Sequence, residues 1–181
     1  MSPQPLYVIE PFVDPARHDR AGFSCGVAAV DNYFKNTANK LAEAGNVRLF
    51  VMVSSDQALI GFYAVNAHAV AYVDLPKRFA RARPGHGSIP AAFIAMIGRD
   101  QRYSGAGFRG DLLVDALRRI AQVADSLGIA VVSLDVLDCG DSHRTARRQA
   151  LYESYGFHPL PSNPTRLFLP LNAIRKLMAD L

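Results

Sequence analysis

The apolar run Ala91–Ile97 (AAFIAMI) passes within two residues into DQRYSGAGFRGDLL, residues 100 to 113, and from there into a helical repeat. A run that short and that apolar suits a central strand buried on both faces. Gly105, Gly107 and Gly110 follow it. Beyond them Leu113, Ala116, Leu117, Ile120, Ala124 and Leu127 share one helical face, while Asp115, Arg118 and Arg119 fall on another. A strand that feeds a helix through a glycine loop commits the chain to a layered α/β or α+β fold. Glycine has no Cβ, so such a loop can bring its own amides close to a ligand. The first amides of a helix lack internal partners and sit at its positive dipole end. Together these form an anion cradle, with phosphate as the usual occupant. The same glycines would also serve an ordinary strand-to-helix turn.

The other segments fit around that unit. Residues 27 to 43 place Val30, Tyr33, Phe34, Ala38 and Leu41 at helical spacing. VRLFVMVSS (47 to 55) reads as a strand, and ALIGFYAVNAHAVAYV (58 to 73) as a longer one forming a hairpin with it. DLPKRFARARPGHGSIP (74 to 90) is the longest loop. Gly128 stands where a glycine would close the central helix. IAVVSLDVL (129 to 137) is the next strand, residues 143 to 154 form a basic helix ending at Gly156-Phe157, and TRLFLPL (165 to 171) is a last strand.

At 181 residues, 50% hydrophobic and 20% charged, the chain reads as a single soluble domain, residues 1 to 181. No apolar stretch is long enough for a membrane helix. The start, MSPQPLYVIEPF, lacks the basic and apolar blocks of a signal peptide. Cys25 and Cys139 stand far apart, outside any zinc spacing, so neither a metal site nor a disulfide is expected. These readings place the protein in the cytoplasm. The net charge of +4 is a mild basic excess. It gathers at Lys35, Lys40 and Arg48, at Lys77, Arg78, Arg81 and Arg83, and at Arg144, Arg147 and Arg148. Such clusters suit either a solvated surface or phosphates on a cofactor or nucleic acid.

The glycine loop is neither a Rossmann GxGxxG at a first strand nor a P-loop, which would need a lysine. Arg102-Tyr103-Ser104-Gly105-Ala106-Gly107 fits Arg/Gln-x-x-Gly-x-Gly, and resembles motif A of the GNAT superfamily of acetyl-CoA-dependent N-acetyltransferases. LYESYGF (151 to 157) resembles that family's Phe-Tyr-x-x-x-Gly-Phe signature, and LPSNPTRLFLPL resembles its closing strand. FSCGVAAVDNYFKNTANKLAEAGNVRLFVMV, followed by IGFYAVNAHAV, resembles the GNAT toxins of bacterial toxin–antitoxin modules. The resemblance covers nearly the whole chain.

It implies a GNAT fold: a central, mixed, mostly antiparallel sheet, splayed at the cofactor site and flanked by helices. Acetyl-CoA would be the acyl donor, with no metal. Its pantetheine would lie against the backbone near Ile97, Gly98 and Arg99. Its pyrophosphate would sit in the loop that Arg102 opens, on Ser104, Gly105, Ala106, Gly107, Phe108, Arg109 and Gly110. Tyr152 would be the general acid, since a phenol with a pKa near ~10 can protonate a departing thiolate. By spacing alone Tyr152 is equally a core tyrosine. An α-amine of pKa near ~8 needs no dedicated base, although His68 offers one. His143 and Asp141 read as a capping turn, and Cys139 as a small apolar filler.

In the toxin-like relatives the acceptor is the α-amino group of aminoacyl-tRNA, and its acetylation stops translation. The resemblance further implies a homodimer and a small ribbon–helix–helix antitoxin. Two other readings stay open: a GNAT that acetylates a small amine or protein amino group, and a silent acyl-CoA-binding module. The chain departs from the pattern at Arg109, which displaces the third glycine to Gly110, and at Met96, where many members carry arginine. The segment DCGDSHRTARRQ is longer than usual and would reshape the acceptor site.

Overall fold

The computed structural model describes residues 7–82 and 84–181. Its strands are β1 (Tyr7–Pro11), β2 (Arg48–Ser54), β3 (Leu59–Ala71), β4 (Ser88–Arg99), β5 (Val131–Asp135), β6 (His158–Leu160) and β7 (Asn163–Pro170). They form one sheet in the order β1-β2-β3-β4-β5-β7-β6. The β1–β2, β2–β3, β5–β7 and β6–β7 pairs are antiparallel, and β4–β5 is parallel. A parallel pair needs a long crossover, and helix α3 (Phe108–Val123) supplies it. The mixed, mostly antiparallel sheet flanked by helices is therefore the observed architecture.

The chain falls into two compact units, one running through Asn66 and resuming over Ala95–Ala116, the other holding Ala67–Ile94 and Leu117–Leu181. In the first unit, α1 (Ala28–Asn32) and α2 (Ala38–Glu43) are joined by a π-helical turn over Tyr33–Thr37. The predicted apolar stripe is real: Val30, Phe34 and Ala38 are fully buried. Phe34 lies flat on Phe62 of β3 with ring centroids 4.0 Å apart, and Phe23 meets both edge-on. Such ring pairs add roughly 0.5–1.5 kcal/mol beyond their area burial.

In the second unit, Val70, Ile89, Ala91, Val131 and Phe168 build a separate core under Leu75. The predicted loop 74–90 is not featureless. It carries 3-10 turns at Tyr72–Asp74 and Lys77–Ala82, because Leu75 is drawn into that core and Phe79 packs edge-on against Phe168. Arg83 lies outside the described residues. Helices α4 (Ser142–Ser154) and α5 (Leu171–Ala179) complete this unit.

Several expectations change. β4 extends to twelve residues, and Phe93, Met96 and Ile97 are only half-buried, since its parallel register with β5 covers Ala91–Ile94 alone. Helix α3 begins inside the glycine motif at Phe108 and stops at Val123. A turn at Asp125-Ser126 ends it there, leaving Leu127 58% exposed and Gly128 past the helix. Asp115, on the face opposed to the apolar stripe, accepts a 2.6 Å hydrogen bond from the Tyr63 hydroxyl. β1, β6 and α5 had no counterpart in the sequence reading.

Candidate active site

The end of β4 is stripped of side chains where other groups press closest. A Cβ on Gly98 would stand 2.9 Å from Phe62 and from Val30, and one on Gly61 would stand 2.7 Å from the Gly98 carbonyl oxygen and from Leu112. No other residue fits either position without displacing its neighbours. Asp100 follows directly and is 2% exposed. Its Oδ1 accepts from the Arg102 amide and Nε, each at 2.9 Å, and its Oδ2 from Arg102 Nη2 at 3.0 Å and the Ser24 amide at 3.1 Å. Burial pushes the carboxyl pKa up, but these donors outweigh it and hold the group below the ordinary carboxylate value. The backbone is stapled as well, through Asp100 N–H to Ile60 and Gln101 N–H to Ser24.

The glycine loop rises from this anchor. Gly105 and Gly107 hold φ of +84° and +78°, a region that costs other residues about 1–2 kcal/mol. The amides of Gly105, Gly107 and Phe108 donate to no acceptor among the described residues, whereas Gly110 N–H is engaged by Gly107 O at 2.8 Å. The loop thus presents amides at the start of a sixteen-residue helix, as an anion cradle requires. Within the expected set the side chains divide. Ser104 and Gly105 are exposed, and Ala106, Arg109 and Ile97 half-buried. Arg102 spends its guanidinium on Asp100. Phe108 is 1% exposed and packs edge-on against Tyr7 and Tyr103, so only its backbone faces a ligand. Arg99 is half-buried, and burial lowers its pKa against the opposing pull of Asp100 and Cys25. Ile97 to Gly110 all belong to the first unit.

Tyr152 belongs to the second unit, on α4, and is 2% exposed with its ring 6.3 Å from Phe157. Asp141 caps α4 by accepting from the His143 and Arg144 amides, as the capping reading expects. Cys139 is more than a filler: its thiol lies 3.4 Å from the Thr145 hydroxyl, a contact that lowers its pKa. It and Cys25 are thiols rather than disulfide partners. An open cavity of about 560 Å³ beside α4 is lined by Asp138, Ser142, Thr145, Gln149 and Thr165 among others, within and near the long DCGDSHRTARRQ segment. His68 is half-buried with its ring 5.1 Å from Phe93. Burial and then Arg166 lower its pKa, opposed by Asp135, which favours the uncharged imidazole. Sequence reasoning missed Asp100 and Asp135. The first could have been read from Asp-x-Arg ahead of the glycines, an N-capping pattern; the second has no local signal. No cluster of His, Cys, Asp or Glu among the described residues could hold a metal, and no helix there is long and apolar enough to cross a membrane.

No protein-family model matches the chain. It is 63% identical to a probable toxin TacT of Sinorhizobium fredii over 94% of each chain. It is 32% identical to a tRNA-acetylating toxin of Mycobacterium tuberculosis, covering 90% of this chain and 92% of that one. Among solved structures it matches AtaT complexed with acetyl-methionyl-tRNAfMet, with a TM-score of 0.83 at 22% identity over 95% of this chain and 99% of the other. An AtaT mutant bound to acetyl-CoA and the C-terminus of the antitoxin AtaR matches with a TM-score of 0.77 at 19% identity, over 96% and 98%. With at least nine-tenths of its length aligned to both curated toxins, this chain belongs to the TacT-like family of GNAT toxins.

Proposed function

We propose that the chain is a single-domain, acetyl-CoA-dependent N-acetyltransferase, a toxin that acetylates the α-amino group of aminoacyl-tRNA and so blocks translation. The observation that carries this reading is the amide cradle of Gly105, Gly107 and Phe108 at the mouth of α3, anchored by buried Asp100. Kinship to a tRNA-acetylating toxin at 32% identity supports the acceptor. Residues 104 to 110 bind the pyrophosphate, and the backbone at Ile97, Gly98 and Arg99 holds the pantetheine.

The chemistry asks little of side chains. The unprotonated acceptor amine adds to the thioester carbon, whose oxygen a backbone N–H of β4 polarises. The C–S bond breaks, the amine loses its proton to solvent, and Tyr152 donates its phenolic proton to the departing thiolate. Holding amine and thioester in attack geometry supplies much of the remaining acceleration. The protein acts in the cytoplasm as a homodimer, and a small ribbon–helix–helix antitoxin covers the site. AtaT, solved with its antitoxin's C-terminus, provides the precedent for such a partner.

The test is thiol release from acetyl-CoA with charged tRNA as acceptor, paired with induction in growing cells. Wild type should release thiol and arrest growth, and Tyr152→Phe should lose roughly 10²-fold or more in kcat and allow growth. An unchanged rate removes Tyr152 from the mechanism. Release with small amines but not with charged tRNA would make this a metabolic acetyltransferase. Acetyl-CoA binding without release would make it a silent module.

A further inference from the structure

The wall that presses on Gly98 ends in two polar atoms without an internal role. Val30 and Phe62 lie 2.9 Å from where a Gly98 Cβ would stand. Tyr33, one helical turn after Val30, lies parallel to the Phe62 ring at 6.5 Å and 14°. The Tyr33 hydroxyl oxygen is buried and has no hydrogen-bond partner among the described residues. Asn66 Oδ1 is in the same condition. β2 and β3 pair without a break from Val51↔Phe62 to Arg48↔Val65, so strand alternation puts Asn66 on the face of Phe62 and Ala64. Two oxygens able to accept hydrogen bonds thus border one aromatic wall.

The backbone at Tyr33 is irregular as well. It opens the π-helical turn, with its carbonyl accepting from Ala38 N–H five residues on. The neighbouring Phe34 carbonyl is served from outside the helix, by Arg20 Nη1 at 3.3 Å. π-Bulges are uncommon and concentrate at functional sites. A buried hydroxyl left unpaired costs about 1–3 kcal/mol, and native folds tolerate few of them. An aromatic residue that only filled the core would serve better as phenylalanine.

We infer that Tyr33 and Asn66 bind the acceptor, taking hydrogen bonds from the amine-bearing end of the aminoacyl group. This rests on the acetyltransferase reading, in which β4 at Gly98 carries the donor. The attacking nitrogen must come within roughly 3–3.5 Å of the thioester carbon, so the rest of the acceptor has to lie along the walls around Gly98. Burial raises the Tyr33 pKa, which keeps the group a hydroxyl throughout the working range.

The experiment is steady-state kinetics of the full chain and its Tyr33→Phe and Asn66→Leu variants, with charged tRNA varied at saturating acetyl-CoA. Acetyl-CoA titration and a thermal melt accompany each. Tyr33→Phe should raise KM for the acceptor about tenfold, the worth of one buried hydrogen bond. Its kcat and acetyl-CoA affinity should be unchanged and its melting temperature equal or higher. Asn66→Leu should move KM the same way. An unchanged acceptor KM overturns the inference, as does an equal loss of acetyl-CoA affinity, which would put Tyr33 on the donor side. A lower melting temperature for Tyr33→Phe overturns it too, by showing that the hydroxyl is bonded within the fold. If wild type transfers nothing to charged tRNA, the functional reading fails first and this inference with it.

Discussion

Two aspartates close two neighbouring strands, and each takes an arginine in a two-pronged fork. Asp100 follows β4 and holds Arg102; Asp135 ends β5 and holds Arg166 at 2.7 and 2.8 Å. The forks are alike and their surroundings are not. Asp100 is 2% exposed and also receives the amides of Ser24 and Arg102. Asp135 is 34% exposed and its carboxylate receives, among the described residues, only its arginine, which lies over the Phe93 ring. Burial with backbone donors makes a carboxylate a structural anchor, whereas a solvated fork is a local brace. The anchor stands under the glycine loop, where the loop's amides need a fixed base.

That contrast can be broken most directly at Asp100. Asp100→Ala orphans the Ser24 and Arg102 amides and should cost about 2–4 kcal/mol in urea unfolding, together with much of the acetyl-CoA affinity. A loss no larger than that at Asp135 would erase the difference between the forks. Acid provides the next test. Because the folded pKa of Asp100 is depressed, its contribution is whole above the unfolded carboxylate value of about 3.9 and is lost as pH falls through the lower folded value. Melting temperature should therefore fall more steeply below about pH 4 in wild type than in Asp100→Asn. Parallel curves would show that the carboxylate carries no net charge advantage. The smallest effect belongs to Asp135→Ala, about 0.2–1 kcal/mol and shrinking further in high salt. A larger, salt-insensitive loss would put Asp135 among the anchors.

Much of this was legible in the residues, because period carries fold. Val30, Phe34 and Ala38, and then Leu113, Ala116, Leu117 and Ile120, announce their helices and are buried where the period puts them. The glycine loop declares itself through Gly105 and Gly107, which hold conformations other residues resist. What stayed hidden depends on partners distant in sequence. Asp100 matters because Ser24, seventy-six residues upstream, turns its amide toward it. Asp115 looks like a helix-surface residue until Tyr63 of β3 reaches it. The π-turn at Tyr33 leaves no mark on an apolar stripe, since Phe34 and Ala38 keep their four-residue spacing through it. β1, β6 and α5 are short, and local pattern is weakest there.

Phe108 sits inside the cradle motif yet behaves as core. Its ring meets Tyr7 of β1, the first strand of the sheet, at 5.3 Å. On the proposed reading, the residue that offers its amide to a phosphate also packs its ring against an edge strand of the sheet. Any ligand that quiets the loop also quiets that edge, so occupancy of the cradle should be readable far from it, as slower amide exchange along Tyr7–Pro11. An edge strand is where a sheet is most open to pairing with another chain. On the proposed reading, donor binding and protection of that edge meet at the Phe108 ring.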